Sequence, residues 1–273
     1  MHIGVTAGGR LARDDGNGLV ELDFFGDVAE AIRQGVDIQH LPTLGEVSED
    51  QLGAPILPGK IVAIGLNYRT HAAEVGMDAP SVPQVFSKFV SSVVGPTADI
   101  EIDRSLTKAV DWEVELGVVV GKRMDRVAVE DALDHVFGYT VSNDVSARDV
   151  QMAEQQWIRA KSMNTFCPVG PVVVTRDEIP DPQDLRVWTR VNSETMQDAS
   201  TADMIFTVAE LLSYCSRSFT LDPGDLLITG TPAGVGAGRK PPIFLNDGDL
   251  LEVGVDGIGV LANRVREIAI ATA

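Results

Sequence analysis

Three acidic side chains interrupt an otherwise apolar run, Val110-Asp111-Trp112-Glu113-Val114-Glu115-Leu116-Gly117-Val118-Val119-Val120. By composition this run reads as a β-strand. Residues two apart on a strand share a face, so Asp111, Glu113 and Glu115 are predicted to project together, opposite Val114, Leu116, Val118 and Val120. Same-face neighbours sit about 6.5–7 Å apart at the backbone. Carboxylates held so close need a cation between them, or a proton. A solvated, acid-blunted sheet edge is the competing reading. The apolar flanks favour burial and hence a cation site. Asp144, in Tyr139-Thr-Val-Ser-Asn-Asp144 at a strand-to-helix junction, supplies a third oxygen donor, or else a simple helix-start acid. All-oxygen ligation selects Mg²⁺, Mn²⁺ or Ca²⁺. The four histidines (His2, His40, His71 and His135) form no paired arrangement, so a histidine zinc site is not expected.

A second constellation lies in Ile64-Gly-Leu-Asn67-Tyr-Arg-Thr-His71-Ala-Ala-Glu74-Val-Gly76. Asn67 is predicted to cap a short helix that Gly76 ends. His71 and Glu74, three apart, then share a face. A carboxylate beside an imidazole fixes its tautomer and leaves the other ring nitrogen free to accept a proton, the arrangement of a general base. A surface His–Glu pair is the plainer reading. The Pro-containing segment Met77 to Pro83 that follows favours a lid. Lys161, at a predicted helix C-terminus, suits either an anionic substrate or the helix dipole. The loop Gly230-Thr231-Pro-Ala-Gly234-Val-Gly236-Ala-Gly238-Arg-Lys240 matches neither phosphate-loop nor dinucleotide fingerprints, yet its backbone N–H groups are able to hold a carboxylate.

These residues need a scaffold. Short Val/Ile/Leu runs predict strands over 60–64, 113–120, 171–175, 185–191, 226–229 and 250–255. Helices are predicted over 27–34, ended by Gly35, and over 129–136, 146–159 (with a capping-box-like Ser146-x-x-Asp149) and 204–217. Strands and helices do not alternate regularly, which argues for a strand-rich α+β body over a doubly wound sheet or an eightfold barrel. Pro55 and Pro58-Gly59 mark a boundary between a small N-terminal domain, 1–57, and a catalytic domain, 58–273.

Composition limits the partners. Among 273 residues, 22 Lys and Arg face 40 Asp and Glu, a net charge of −18. Such a chain repels nucleic acid and anionic membranes, and an anionic substrate needs a local cation. No apolar stretch is long enough to span a membrane, and the start of the chain lacks the pattern of a signal peptide, so a cytoplasmic location is the default expectation. Cys167 and Cys215, far apart, are expected as buried free thiols.

In combination, the segments IGLNYRTHAAEVG (64–76), VDWEVELGVVVGK (110–122), FGYTVSNDVSARDVQ (137–151), KSMNTFCPVGP (161–171), SRSFTLDPGDLLITGTPAGVG (216–236) and KPPIFLNDGDLLEVGVDGIGVLANRV (240–265) resemble the fumarylacetoacetate hydrolase family, in its acylpyruvase-like branch. The resemblance spans about residues 60–266. It implies a rolled mixed β-sheet catalytic domain, usually in homodimers, and Mg²⁺ or Mn²⁺ on Glu113, Glu115 and Asp144, with Asp111 as a supporting acid. His71 and Glu74 match the family's lid dyad. Lys161 and Thr165 match residues near metal and substrate, and Gly230-Thr231 the loop touching the substrate carboxylate. Arg148 and Gln151 are motif members with weaker roles. Asn164 stands where the branch often has Asp, and Phe89 where Pro often follows the lysine. The implied reaction is hydrolysis of a C–C bond in a 2,4-dioxo acid through an enolate. Oxaloacetate decarboxylation and 2-hydroxy-dienedioate isomerisation are alternatives on the same platform, and a non-catalytic cation-binding module is the alternative of another class.

Overall fold

The computed structural model describes residues 1–14, 16 and 18–269. Its centre is an eleven-stranded mixed sheet among the described residues. The Val114–Val120 strand runs antiparallel to Val136–Asn143 on one side and to Leu226–Ile228 on the other. Leu226–Ile228 pairs in parallel with Ile61–Gly65, which pairs with Gln84–Lys88. On the far side, Cys167–Thr175 joins Val136–Asn143 to His2–Val5. Through His2–Val5 the strands Arg10–Asp14, Leu19–Phe25 and Thr43–Val47 extend the same sheet.

Residue alternation explains how this sheet is covered. Val118 and Val120, Val62 and Ile64, and Val172 and Val174 pack into one core. Val119, Ile61 and Ala63, and Val173 pack into another. Successive side chains point to opposite faces, so a strand that is apolar throughout is buried on both. One face is covered by the helix Val28–Gln34, through Val28, Ala29 and Ala31. The other meets a five-stranded sheet and the helix Val208–Ser218 through Val253, Leu261, Leu211 and Leu212. In that second sheet, Val187, Thr189 and Val191 of Arg186–Val191 are buried while Arg186 and Arg190 face water, as the alternation predicts.

All six predicted strands form. The Val28–Gln34 helix has the Asp27 cap and a left-handed Gly35 (φ 65°) at its end. Other expectations shift. Residues 129–135 form a 3₁₀ segment. The 204–217 helix begins at Val208, where Thr207 and Glu210 make a reciprocal capping box. The 146–159 helix is broken into Ser146–Ala147 as strand, Arg148–Ala153 and Ile158–Lys161 as helices. Its capping box is absent because Ser146 Oγ donates to the Asp144 carbonyl and Asp149 accepts from the Thr107 hydroxyl and the Lys108 N–H. No helix among the described residues is long and apolar enough to cross a membrane.

Candidate active site

Where the Val114–Val120 strand begins, the acidic run leaves the regular ladder. Val110–Asp111 pairs instead with Ser146–Ala147, and the strand restarts at Val114. The predicted unbroken strand is thus interrupted, because Asp111 Oδ1 accepts the next residue's N–H (2.8 Å) and Glu113 N–H donates to Asn143 Oδ1 (3.0 Å). Asp111 accordingly parts from the other two. Its carboxylate takes the N–H groups of Gly236 and Ala237 at 2.7 and 2.9 Å and Arg148 Nε at 2.8 Å.

Glu113, Glu115 and Asp144 converge, with one oxygen from each inside a 4.8 Å span. The four acids are only 0–6% exposed, which excludes the solvated-edge reading. Burying charge requires partners. Lys161 Nζ bridges Glu113 Oε2 (2.7 Å) and Asp144 Oδ2 (2.6 Å). Arg148 pairs with Glu113 Oε1 at 2.6 Å. Lys88 Nζ meets Asp144 Oδ1 at 2.6 Å and also donates to the Lys161 carbonyl. Among the described residues, Glu115 alone of the three lacks a direct side-chain cation; Gly230 N–H donates to it at 2.7 Å.

The electrostatics divide accordingly. Burial raises the Glu113 pKa, but the Lys161 and Arg148 cations overcome it and hold the group at about 2. Burial, then the Asp144 and Glu113 charges, push Glu115 well above the usual carboxylate range. Burial opposes the charge on Lys161, yet Asp144 and Glu113 raise its pKa overall. An under-compensated carboxyl in a set of three converging oxygens is the donor chemistry of a hard dication. The residues therefore fit a divalent metal.

The cluster opens into a cavity of about 1060 Å³ lined by His71, Glu74, Glu113, Arg148, Gln151, Lys161 and Thr231 among others. Phe86 and Trp157 form an apolar wall, edge to face at 5.3 Å, with Lys161 Nζ 5.3 Å from the Phe86 ring centre. His71 Nδ1 lies 2.9 Å from Glu74 Oε2 on the short helix Arg69–Glu74. Glu74 Oε1 also accepts Gly234 N–H at 2.8 Å, tying that helix to the glycine-rich loop. Asn67 does not cap the helix. Its amide donates to the Phe206 and Thr229 carbonyls and accepts Phe206 N–H, fastening the Leu226–Ile228 strand end.

The sequence predicts loop N–H groups open to a ligand; in the structure they are taken by the chain's own acids. Gly230, Gly234, Gly236 and Ala237 serve Glu115, Glu74 and Asp111. Gly230 itself sits at φ 93°, and a Cβ there would lie 2.7 Å from Asn67 Cβ, so only glycine suits this turn. Thr231 lines the cavity, its hydroxyl receiving Gln197 Nε2 at 2.8 Å. Arg148 Nη1 donates to Gln151 Oε1 at 3.0 Å. Thr165 lies outside the lining, with its hydroxyl accepting Glu101 N–H. Asn164 and Phe89 are exposed, so neither departure alters the cluster.

Sequence reasoning missed Lys88, Gln197 and Arg239. Lys88 carried a signal: a lysine ending the apolar-flanked strand Gln84–Lys88. Gln197 and Arg239 had none.

A family model, "Fumarylacetoacetate (FAA) hydrolase C-terminal", matches residues 60–266. The chain belongs to the fumarylacetoacetate hydrolase family. It is 40% identical over 281 residues to "Oxaloacetate tautomerase FAHD2A, mitochondrial" of Bos taurus, covering 97% of this chain and 87% of the relative. It is 45% identical to "Oxaloacetate tautomerase fahd2, mitochondrial" of Xenopus laevis, covering 83% and 71%. Among solved structures it is similar to a fumarylacetoacetate hydrolase from Exiguobacterium antarcticum (TM-score 0.87, 39% identity, 98% and 99% covered). It is also similar to a 5-carboxymethyl-2-hydroxymuconate delta-isomerase from Mycobacterium smegmatis (TM-score 0.80, 33% identity, 98% and 100% covered). This is an enzyme family, and the non-catalytic module falls away.

Proposed function

We propose that the chain moves a proton at the carbon beside the carbonyl of a 2-oxo acid, interconverting keto and enol forms through an enolate. The observation that carries this is a base oriented by a carboxylate, His71 on Glu74, opening into the same cavity as a buried acid–cation cluster. The relatives named as oxaloacetate tautomerases support it. Glu113, Glu115 and Asp144 would hold Mg²⁺ or Mn²⁺. When bound, the ion supplies Lewis-acid polarisation of the 2-oxo carbonyl. With Nδ1 donating to Glu74, His71 Nε2 takes the proton from C3; the enolate oxygen takes a proton from water to complete the enol while His71 returns its own to solvent, and the reverse direction removes the O–H proton to water and delivers one from His71 to C3. Lys161 and Arg148 supply positive charge to the substrate carboxylate and to the oxygen that becomes negative. Phe86 and Trp157 keep water from one side.

Hydrolysis of a C–C bond in a 2,4-dioxo acid is the second reading. It is favoured by the cavity volume, about 1060 Å³, which exceeds the need of a four-carbon acid and leaves room for an acyl group and a water. There His71 would take its proton from that water. Decarboxylation of oxaloacetate would use the same enolate without a water. The test follows enol oxaloacetate, pyruvate release and acylpyruvate cleavage in parallel, with Mg²⁺ or Mn²⁺, in wild type and His71→Ala. Catalysed keto–enol exchange that His71→Ala abolishes is the expected result. Undiminished exchange in that variant overturns the proposal, and cleavage without exchange installs the second reading.

A further inference from the structure

The cavity's cations are of two kinds. Lys161 and Arg148 are neutralised by Glu113, Asp144 and Asp111. Arg239 and Lys240 also line the cavity and make no ion pair with a carboxylate among the described residues. Arg239 is half-buried. One of its nitrogens, Nη2, donates to the Met196 carbonyl at 2.9 Å, while Nε is buried with no partner among the described residues. An orphaned, buried guanidinium N–H is costly unless a ligand meets it. The neighbouring acid, Glu74, would lie 2.5 Å from a Cβ on Gly238, but it is already engaged by His71 and the Gly234 N–H. The main-chain tether to Met196 holds the guanidinium against the cavity wall.

We infer that Arg239 is the specificity-determining residue of this cavity and receives the far carboxylate of a dicarboxylic 2-oxo acid, with Lys240 adding charge at the rim. The inference rests on the 2-oxo acid reading above and adds which member of that class is selected. A guanidinium takes a carboxylate in a planar, two-point contact that an ammonium does not reproduce. A monocarboxylic acylpyruvate leaves Arg239 unmatched.

The experiment compares wild type, Arg239→Gln, Arg239→Lys and Lys240→Gln. Turnover is measured on oxaloacetate and on acetylpyruvate. Binding is measured by calorimetry with 2-oxoglutarate and 2-oxobutyrate, a pair that is neither a 3-carboxy nor a 2,4-dioxo acid, so that neither is cleaved, and that differs by one carboxylate. Wild type is expected to prefer the dicarboxylate in both measurements. Arg239→Gln should reduce that preference by about 10- to 100-fold, through KM more than kcat, as loss of a charge-assisted hydrogen bond implies. Arg239→Lys should restore only part, and Lys240→Gln should cost a few-fold, more at low salt. Equal loss toward both ligands, or no loss, overturns the inference. Selective binding that Arg239→Gln removes, in an enzyme that exchanges neither 2-oxo acid, upholds Arg239 and overturns the reaction. A wild type indifferent to the second carboxylate does the reverse.

Discussion

The strand Val114–Val120 and the residues leading into it hold two regions of equal burial and opposite dependence. Its body, Val118 to Val120, is packed on both faces by apolar side chains. Its entrance carries Glu113 and Glu115 against Asp144, Lys161, Arg148 and Lys88. In the body each contact is small and replaceable, and removal costs the lost transfer energy plus a cavity. At the entrance each charge is tolerable only because of its partner, and removal of one group strands another. Burial alone therefore says little about function; burial with obligatory partners does.

The largest test of that contrast is Glu115→Ala. It removes the carboxyl that has no side-chain cation beside it, and should abolish metal binding and lower turnover by about 10³-fold or more, read by calorimetry with Mn²⁺ and by exchange rate. Full activity with bound metal would break the comparison. Lys88→Met should follow, destabilising by about 3–5 kcal/mol because Asp144 loses a buried partner, measured by urea unfolding of the metal-free protein. His71→Asn should lower turnover by about 10²–10⁴-fold with little change in stability, since the imidazole serves chemistry more than packing. In the body, Val118→Ala should cost about 2 kcal/mol and leave metal binding intact.

The smallest effect is in pH, and its sign separates the two glutamates. Glu113, lowered to about 2, adds stability that is present above its ordinary 4.5 and lost as pH falls toward 2. Glu115 runs the other way: its raised value makes its contribution full below the ordinary range and lost as pH rises through the folded value. A dication displaces that proton. Mn²⁺ affinity should therefore strengthen as pH rises, with about one proton released per ion in calorimetry in two buffers. Proton release of zero would mean that Glu115 is already ionised.

The acid-bearing strand, the His71–Glu74 spacing and the helix 28–34 were legible because each depends on residues a few positions apart, and the family resemblance because six such local segments recur in order. Strand parity even separated Val187 from Arg186 correctly. Other expectations failed where long-range bonds competed with local ones. Asn67 looked like a cap but bonds Thr229, and Ser146-x-x-Asp149 looked like a helix start but serves Asp144 and Thr107.

By itself, then, the chain determined which carboxylates alternate out of an apolar strand, which imidazole has an acid one turn away, and an overall charge that demands a local cation for any anionic substrate. Tertiary structure alone decided that Lys88 meets Asp144 across 56 positions, that Lys161 meets Glu113 across 48, and that Asp111 turns away to the 236–237 loop. It also decided that Arg239 is left without an acid among the described residues. Spacing along a strand or helix is set by local backbone geometry. The choice of counter-ion is set by which strands become neighbours in the sheet, and no local pattern encodes that.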